Sequence, residues 1–476
     1  MSSFAAAATQ AEPAANPANS KKYKILTSDI LIADVTVEYD PKKFKGTKLG
    51  NLVDRFQEQG KLLPGSKMAL TLEEFEEFSV ALSGISTTIS PGGSSANTLT
   101  TLSKLLRKDG VSQIDGSFIG VTGHGMYSKI IASDLKDAGI KLLPDPEAVK
   151  EFSPQSATSI VIQFPAEPGK KADRAIATYQ GNAKDILKPN VLADDMVNNT
   201  DAILVQGSLW QKFGETEFRG LPAPDNKIGF ADKLLDMRWK SGKELWLAMP
   251  THAKYGEENA QRYKWLMESA NLVLGNEEEV SRVLTTPEER HHIEKIIAEN
   301  NITPKELRTK SQAQLVEEGR ITADEAQKYE FANNSVNFDE GIRRLQEVFK
   351  LQTLQKNKDI GNWTGSTRQI GFVTRAANGM SVVTADSIEH VPTKKVEGEI
   401  FTLGAGDTSF AGILSGYING CSPKVCAELG NTLARQKLSI KQARLPDPMA
   451  ALEEASANLA AELQRAMARA REAALG

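Results

Sequence analysis

The residues most able to do chemistry in this 476-residue chain lie in Glu399–Gly420, EIFTLGAGDTSFAGILSGYING. Gly404-Ala405-Gly406 carries side chains too small to block a ligand, so the backbone can turn tightly and aim its N–H groups outward. From Asp407 onward, Phe410, Ile413, Leu414 and Tyr417 recur at spacings of three and four, which predicts a helix. A glycine turn at a helix start is an anion site, because the first-turn N–H groups lack partners and the helix dipole favours negative charge. An acid there repels a bound phosphate unless chemistry requires it. A carboxylate beside a transferring phosphoryl group can take the proton of an attacking hydroxyl. The alternative for Asp407 is a plain helix cap, a common use of Asp.

Two other stretches offer polar groups on turns. ISPGGSSANTLTTLSKLL (Ile89–Leu106) sets Gly92, Gly93 and Asn97 before a helix buried through Thr98, Leu102, Leu105 and Leu106. Taken alone, the pair is a plain glycine turn before a helix, and an Asn side chain there supplies both donors and an acceptor. ANLVLGNEEEVSRV (Ala270–Val283) reads as a buried strand running into a helix opened by Asn276 and three acids, an arrangement the helix dipole alone also favours.

These turns need a scaffold, and the rest of the chain predicts one. Lys24–Tyr39 begins as a strand entering a core and then alternates. SIVIQF and RAIATYQG, between Ser156 and Gly181, predict a hairpin, as does RAANGMSVVTAD after the strand QIGFVT (Gln369–Thr374). Ala202–Gly207 and Glu244–Met249 are short apolar runs separated by a helical stretch, the rhythm of βαβ units and a parallel sheet covered on both faces. Thr285–Thr367 is charged and helix-prone, and Ile302–Phe331 reads as two helices about a Glu-Gly turn. Met449–Leu475 is Ala-rich, with Leu452, Leu459, Leu463 and Met467 on one face of a further helix.

In their order along the chain these motifs resemble the ribokinase-like (PfkB-type) carbohydrate and nucleoside kinases. Thr402, Gly404, Ala405, Gly406 and Asp407 match that family's Asp-Thr-x-Gly-Ala-Gly-Asp signature, with Phe401 in place of the first Asp. Gly92, Gly93 and Asn97 match Gly-Gly-x-x-x-Asn, and Asn276 and Glu279 match Asn-x-x-Glu. Thr374 and Gly379 match Val-Thr-x-Gly-x-x-Gly, with Ala376 for the middle Gly. His124-Gly125 replaces two acids of a further segment, and Asp29-Ile30 replaces a Gly-Asn pair.

The resemblance implies an α/β fold, a three-layer α/β/α sandwich with a mainly parallel sheet and a small β-sheet lid. It implies Asp407 as base, with Gly404, Ala405 and Gly406 as anion hole. Asp34, Gly92, Gly93, Asn97 and Tyr179, with Arg174 and Gly181 as further candidates, would hold the substrate. Thr374, Gly379 and Asn431 would touch nucleotide, and Asn276 and Glu279 would organise Mg²⁺ through water. The cofactors implied are ATP and Mg²⁺, and the acceptor is a small nucleoside, adenosine-like on the ARLP ending and the TYQG strand. A free sugar is the alternative acceptor, and a kinase-shaped binding protein the alternative class.

Bulk properties set the outer limits. With 57 basic and 61 acidic residues and a net charge of −4, no overall field recruits nucleic acid or anionic membrane. Two cysteines exclude a disulfide scaffold, and no apolar run is long enough to span a membrane, so a cytoplasmic monomer or homodimer is expected. The organisation expected is a disordered tail over 1–20 and a kinase domain over 21–446, followed by a helix over 447–476. The lid would be drawn from about 33–65 and 155–182, with a helical insertion over about 285–367.

Overall fold

The computed structural model describes residues 22–108, 110–120, 125–143, 156–165, 174–181, 194–206, 241–249, 263–264, 266–356, 369–398 and 400–453. His124, the expected tail and most of the expected C-terminal helix lie outside them.

The strands, in chain order, are β1 Tyr23–Ser28, β2 Ile32–Glu38, β3 Lys67–Ala69, β4 Thr88–Gly92, β5 Arg107–Lys108, β6 Val111–Ser112, β7 Ile114–Ile119, β8 Lys141–Leu143 and β9 Ala157–Gln163. They continue as β10 Arg174–Tyr179, β11 Ala202–Gln206, β12 Glu244–Ala248, β13 Leu272–Asn276, β14 Tyr329–Glu330, β15 Ser335–Val336, β16 Ile370–Thr374, β17 Met380–Val383 and β18 Ile388–Val391. Nine form one sheet in the order β18-β17-β16-β13-β12-β11-β1-β7-β8, parallel from β16 to β8. The antiparallel β16–β17–β18 edge is the hairpin read from RAANGMSVVTAD and its return.

Strand alternation assigns side chains to two apolar layers. Ile25, Leu204, Trp246, Leu272 and Leu274 face one way, against the helices Ser94–Leu105, Met126–Asp137, Ala405–Ile418 and Pro423–Leu438. Leu26, Ile203, Leu245, Leu247 and Val273 face the other way, against Glu277–Leu284 and Phe338–Lys356. A parallel sheet buried on both faces needs such continuous apolar strands. The expected three-layer sandwich is what forms.

The second sheet, β3-β10-β9-β2-β4, is small and has its own core, Val37, Leu49, Phe56, Phe78, Ile160, Ile162 and Ala177. The run from Lys24 does not stay in one sheet: Asp29-Ile30-Leu31 interrupts it, so β1 belongs to the large sheet and β2 to the small one. Pro91-Gly92 likewise ends strand β4 instead of forming a free turn. Both departures carry the chain between sheets at the place where the candidate residues gather.

Residues 287–336 form a helical module with a core of Ile293, Ile296, Ile302, Leu315, Ile321 and Phe331. The sequence predicts two helices in Ile302–Phe331, but three short ones occur, Pro304–Thr309, Gln312–Glu317 and Ala323–Lys328. Each starts with a reciprocal capping box, Thr303 with Glu306, Ser311 with Gln314 and Thr322 with Glu325. The additional start is Ser311, whose hydroxyl and Gln314 satisfy orphan donors as well as a Thr–Glu pair does.

Candidate active site

Gly404 is the N-cap of the helix Ala405–Ile418, in the left-handed region at φ 75°. A Cβ there would lie 1.8 Å from the carbonyl oxygen of Ala443, so only glycine permits the turn to press against the segment after the next helix. A Cβ on Gly406, by contrast, would meet nothing within 4 Å, so the first turn of the helix faces open space. That space adjoins first-turn N–H groups, which suits an anion.

Asp407 does not cap its own helix: Gly404 is the cap, and no side chain performs that bond. Its carboxylate is instead held from the helix Ser94–Leu105, accepting from Asn97 Nδ2 at 2.8 Å and from Ser94. The Thr98 hydroxyl donates to the Asp407 carbonyl at 3.3 Å. Burial pushes the Asp407 pKa up, and the Asn97 and Ser94 donors pull it back toward the ionised form.

A buried arginine fixes the direction of this contact. Arg444 Nε donates to Asn97 Oδ1 at 2.6 Å, and its guanidinium also pairs with Asp134. Guanidinium has no acceptor, so the Asn97 oxygen must face Arg444 and the amide NH₂ must face Asp407. Asp407 is thereby presented with a donor, which favours its carboxylate and leaves it able to receive a further proton. Arg444 lies in the ARLP ending, and no local pattern there signals its part in this chain of contacts.

Asp34 lies on β2 between Ser90 of β4 and Ser159 of β9, and is 7% exposed. Gly92 makes room for it: a Cβ at Gly92 would stand 2.5 Å from Asp34 Oδ2. Gly93, at φ 93°, N-caps the Ser94 helix, and a Cβ there would approach the Ile30 carbonyl to 2.8 Å. Asp29, in the place of the family's Gly-Asn pair, accepts the Ser95 N–H at 3.2 Å and so caps that helix from outside. Burial raises the Asp34 pKa to about 7; Arg444 and Arg174 act against the rise and Asp407 adds to it.

The small sheet brings two cations toward these carboxylates. Arg174 at the start of β10 is close enough for its charge to act on Asp34 and Lys437. Lys67 on β3 keeps accessible surface, yet protein crowds its ammonium. That crowding, with the Arg174 charge, lowers its pKa against the pull of Glu279 and Asp407. Tyr179 is not joined to the group by a hydrogen bond; its ring stacks on Phe75 at 4.7 Å, which explains its position by packing. Gly181, at φ 54°, ends β10 in a turn.

A second set of residues gathers at the carboxyl ends of the parallel strands. Asn276 of β13 pairs in register with Thr374 of β16, whose hydroxyl reaches the Gly275 carbonyl at 3.5 Å. Asn276 and Glu279 cap each other: Asn276 Oδ1 accepts the Glu279 N–H at 2.8 Å, and Glu279 Oε2 accepts the Asn276 N–H at 2.9 Å. Glu279 is buried, and burial raises its pKa to about 7 against that hydrogen bond and Lys67. Gly379, at φ 90°, would bring a Cβ to 2.2 Å from the Val391 carbonyl, and Asn431 Nδ2 donates to the same carbonyl at 3.1 Å. Gly379 and Asn431 therefore hold the end of β18 between them.

Ala376 stands between Thr374 and Gly379 at φ 47°, left-handed backbone that glycine tolerates better. Ala376→Gly is expected to raise stability by about 1 kcal/mol, the released strain exceeding the added chain entropy. An unchanged denaturant midpoint would show that the conformation costs nothing at this position.

Fold and site together define a three-layer α/β/α sandwich with a glycine turn at a helix start, an adjacent carboxylate and a small sheet carrying the buried Asp34. Residues 344–450 match the family model described as pfkB family carbohydrate kinase. The resemblance read from the motifs is borne out over that stretch, which holds Thr402–Asp407. Among solved structures, the chain is similar to the adenosine kinase of Sinorhizobium meliloti, at TM-score 0.57 and 18% identity, covering 91% of this chain and 100% of that one. It is similar to a probable sugar kinase from Rhizobium etli CFN 42, at TM-score 0.59 and 17% identity over 92% of this chain and 100% of that one. The adenosine kinase of Schistosoma mansoni in complex with 2-fluoroadenosine matches at TM-score 0.58 and 13% identity, over 90% and 99%. At such identities these structures establish the fold. No curated protein matches the sequence. No helix among the described residues is long and apolar enough to cross a membrane.

Proposed function

We propose that the chain transfers the γ-phosphoryl group of ATP to a primary hydroxyl of an adenosine-like nucleoside. The observation that carries this reading is the Asp407 carboxylate, held by Asn97 and Ser94 at an open helix N-terminus instead of capping its own helix. Asp34, Gly93 and Asn97 orient the acceptor. Asp407 takes the hydroxyl proton, and the amides of Ala405, Gly406 and Asp407 stabilise charge on the transferring group. Even with its pKa raised by burial, the Asp407 carboxyl remains far more acidic than an alcohol, so the proton moves late, as the new P–O bond forms. Most acceleration then comes from positioning and electrostatics.

Thr374, Gly379 and Asn431 are the nucleotide side of the proposal. The donor set at Asn276 and Glu279 fits Mg²⁺ through water: each side chain already spends an oxygen on the other's amide, leaving Glu279 Oε1 to order water. Bound Mg²⁺ typically keeps several waters and would neutralise charge on the phosphates. Glu279→Gln is expected to raise the Mg²⁺ concentration giving half-maximal rate; full activity of the parent in excess EDTA would remove the assignment.

A panel of nucleosides and free sugars with ATP and Mg²⁺, read as phosphorylated product by mass, tests the reading. Phosphorylation of adenosine or a close analogue supports it. Product only with fructose-like or ribose-like sugars replaces the acceptor class, and no product with any acceptor overturns the enzyme assignment.

A further inference from the structure

Lys437 is the one charged residue among the largest fully buried side chains of the described protein, at 0% exposure. It lies in the last turn of Pro423–Leu438 and bonds Phe401, three residues before the turn at Gly404. Its ammonium donates to the Phe401 carbonyl at 3.3 Å and to the Ile440 carbonyl at 2.7 Å. The two segments it ties are already apposed: the Phe401 N–H donates to the Leu438 carbonyl at 2.8 Å, and Gly404 abuts Ala443. An ammonium has three donors, and no carboxylate among the described residues pairs with this one.

Burying such a charge without an ion partner is costly, and apolar residues usually serve packing better. Nearby sits Asp407, whose negative charge acts on Lys437, and in front of it the turn where phosphoryl charge would develop. A fixed cation in water-poor surroundings stabilises such charge more than it would in solvent.

Resting on the kinase reading, we infer that Lys437 is a positioning residue: its ammonium ties Phe401 to Ile440 and holds a fixed positive charge behind residues 404–407 during phosphoryl transfer.

Burial lowers the Lys437 pKa to about 8; the Arg174 charge adds to this and Asp407 opposes it. The charged groups facing it are thus Asp407 on the signature helix and Arg174 on β10. Lys441, over the Phe401 ring at 5.6 Å, is paired with Glu38. Turnover should then fall as pH rises through about 8, where the ammonium deprotonates. Lys67, whose pKa is also lowered, can add its own alkaline limb, so Lys67→Met is the control.

The test uses the full chain and the best acceptor of the panel. Lys437→Met is expected to melt close to the parent and keep both KM values. Its kcat should drop ~10-fold or more, the scale of losing one preorganised electrostatic group, and the alkaline limb near pH 8 should be lost. Lys437→Ala should regain turnover with added ethylammonium but not with ethanol, a readout that a packing role does not move and that serves if Lys437→Met fails to fold. An active parent with Lys437→Met at parental kcat, or with losses that amines do not restore, overturns the inference alone. A parent inactive on every acceptor overturns the kinase reading and the inference with it.

Discussion

Asp407→Asn is expected to fold like the parent, bind ATP at least as well, and turn over ~10²–10⁴ more slowly, the usual worth of a positioned base. The fold should hold because Asp407 caps nothing and an Asn oxygen there can still accept from Asn97 Nδ2. ATP binding should hold or improve because a negative charge is removed beside the phosphates. Turnover should collapse because the amide cannot take the hydroxyl proton. The Asp134–Arg444–Asn97 contacts should survive, since none passes through the atom that changes.

The second large effect concerns the acceptor. Asp34→Ala is expected to weaken acceptor binding by roughly 10- to 150-fold, the worth of a lost charged hydrogen bond at ~1.5–3 kcal/mol. The raised pKa of Asp34, about 7, adds a pH signature. The carboxylate is the stronger acceptor for a sugar hydroxyl, so affinity should rise as pH climbs through about 7 and then level, and Asp34→Asn should flatten the curve. Binding measured without nucleotide and metal keeps Glu279, also near 7, out of the readout. Folding shows the opposite trend. Asp34 ionises more readily unfolded, so its contribution to stability is present below the ordinary carboxylate pKa and declines as pH rises to about 7. Unchanged acceptor affinity in Asp34→Ala would remove this residue from the site.

What the sequence made legible was local. The buried strands, the turn at Gly404–Asp407, the Gly92-Gly93 pair and the Asn276–Glu279 spacing all express themselves within a few residues. Packing supplies reasons that spacing does not: Gly92 is needed by the carboxylate of Asp34, 58 positions earlier by number. What stayed hidden depends on distant parts of the chain meeting. Asn97 and Arg444 are 347 residues apart, and Asn97 and Asp407 are 310 apart. No periodicity could announce that an arginine in QARLP orients an asparagine amide, or that Asp29 caps a helix beginning at Ser94. Lys437 reads in the sequence as an ordinary last-turn lysine, favoured by the helix dipole, and only its burial sets it apart. Tyr179 shows the converse, an aromatic suited to a pocket by type whose ring is taken up by Phe75.

Whether Asp407 acts by chemistry or by structure is decided most directly by measuring turnover and thermal stability together on one preparation of Asp407→Asn. A melting temperature close to the parent's with turnover reduced ~10²–10⁴ is expected. A variant as stable as the parent that turns over at a near-normal rate would contradict it.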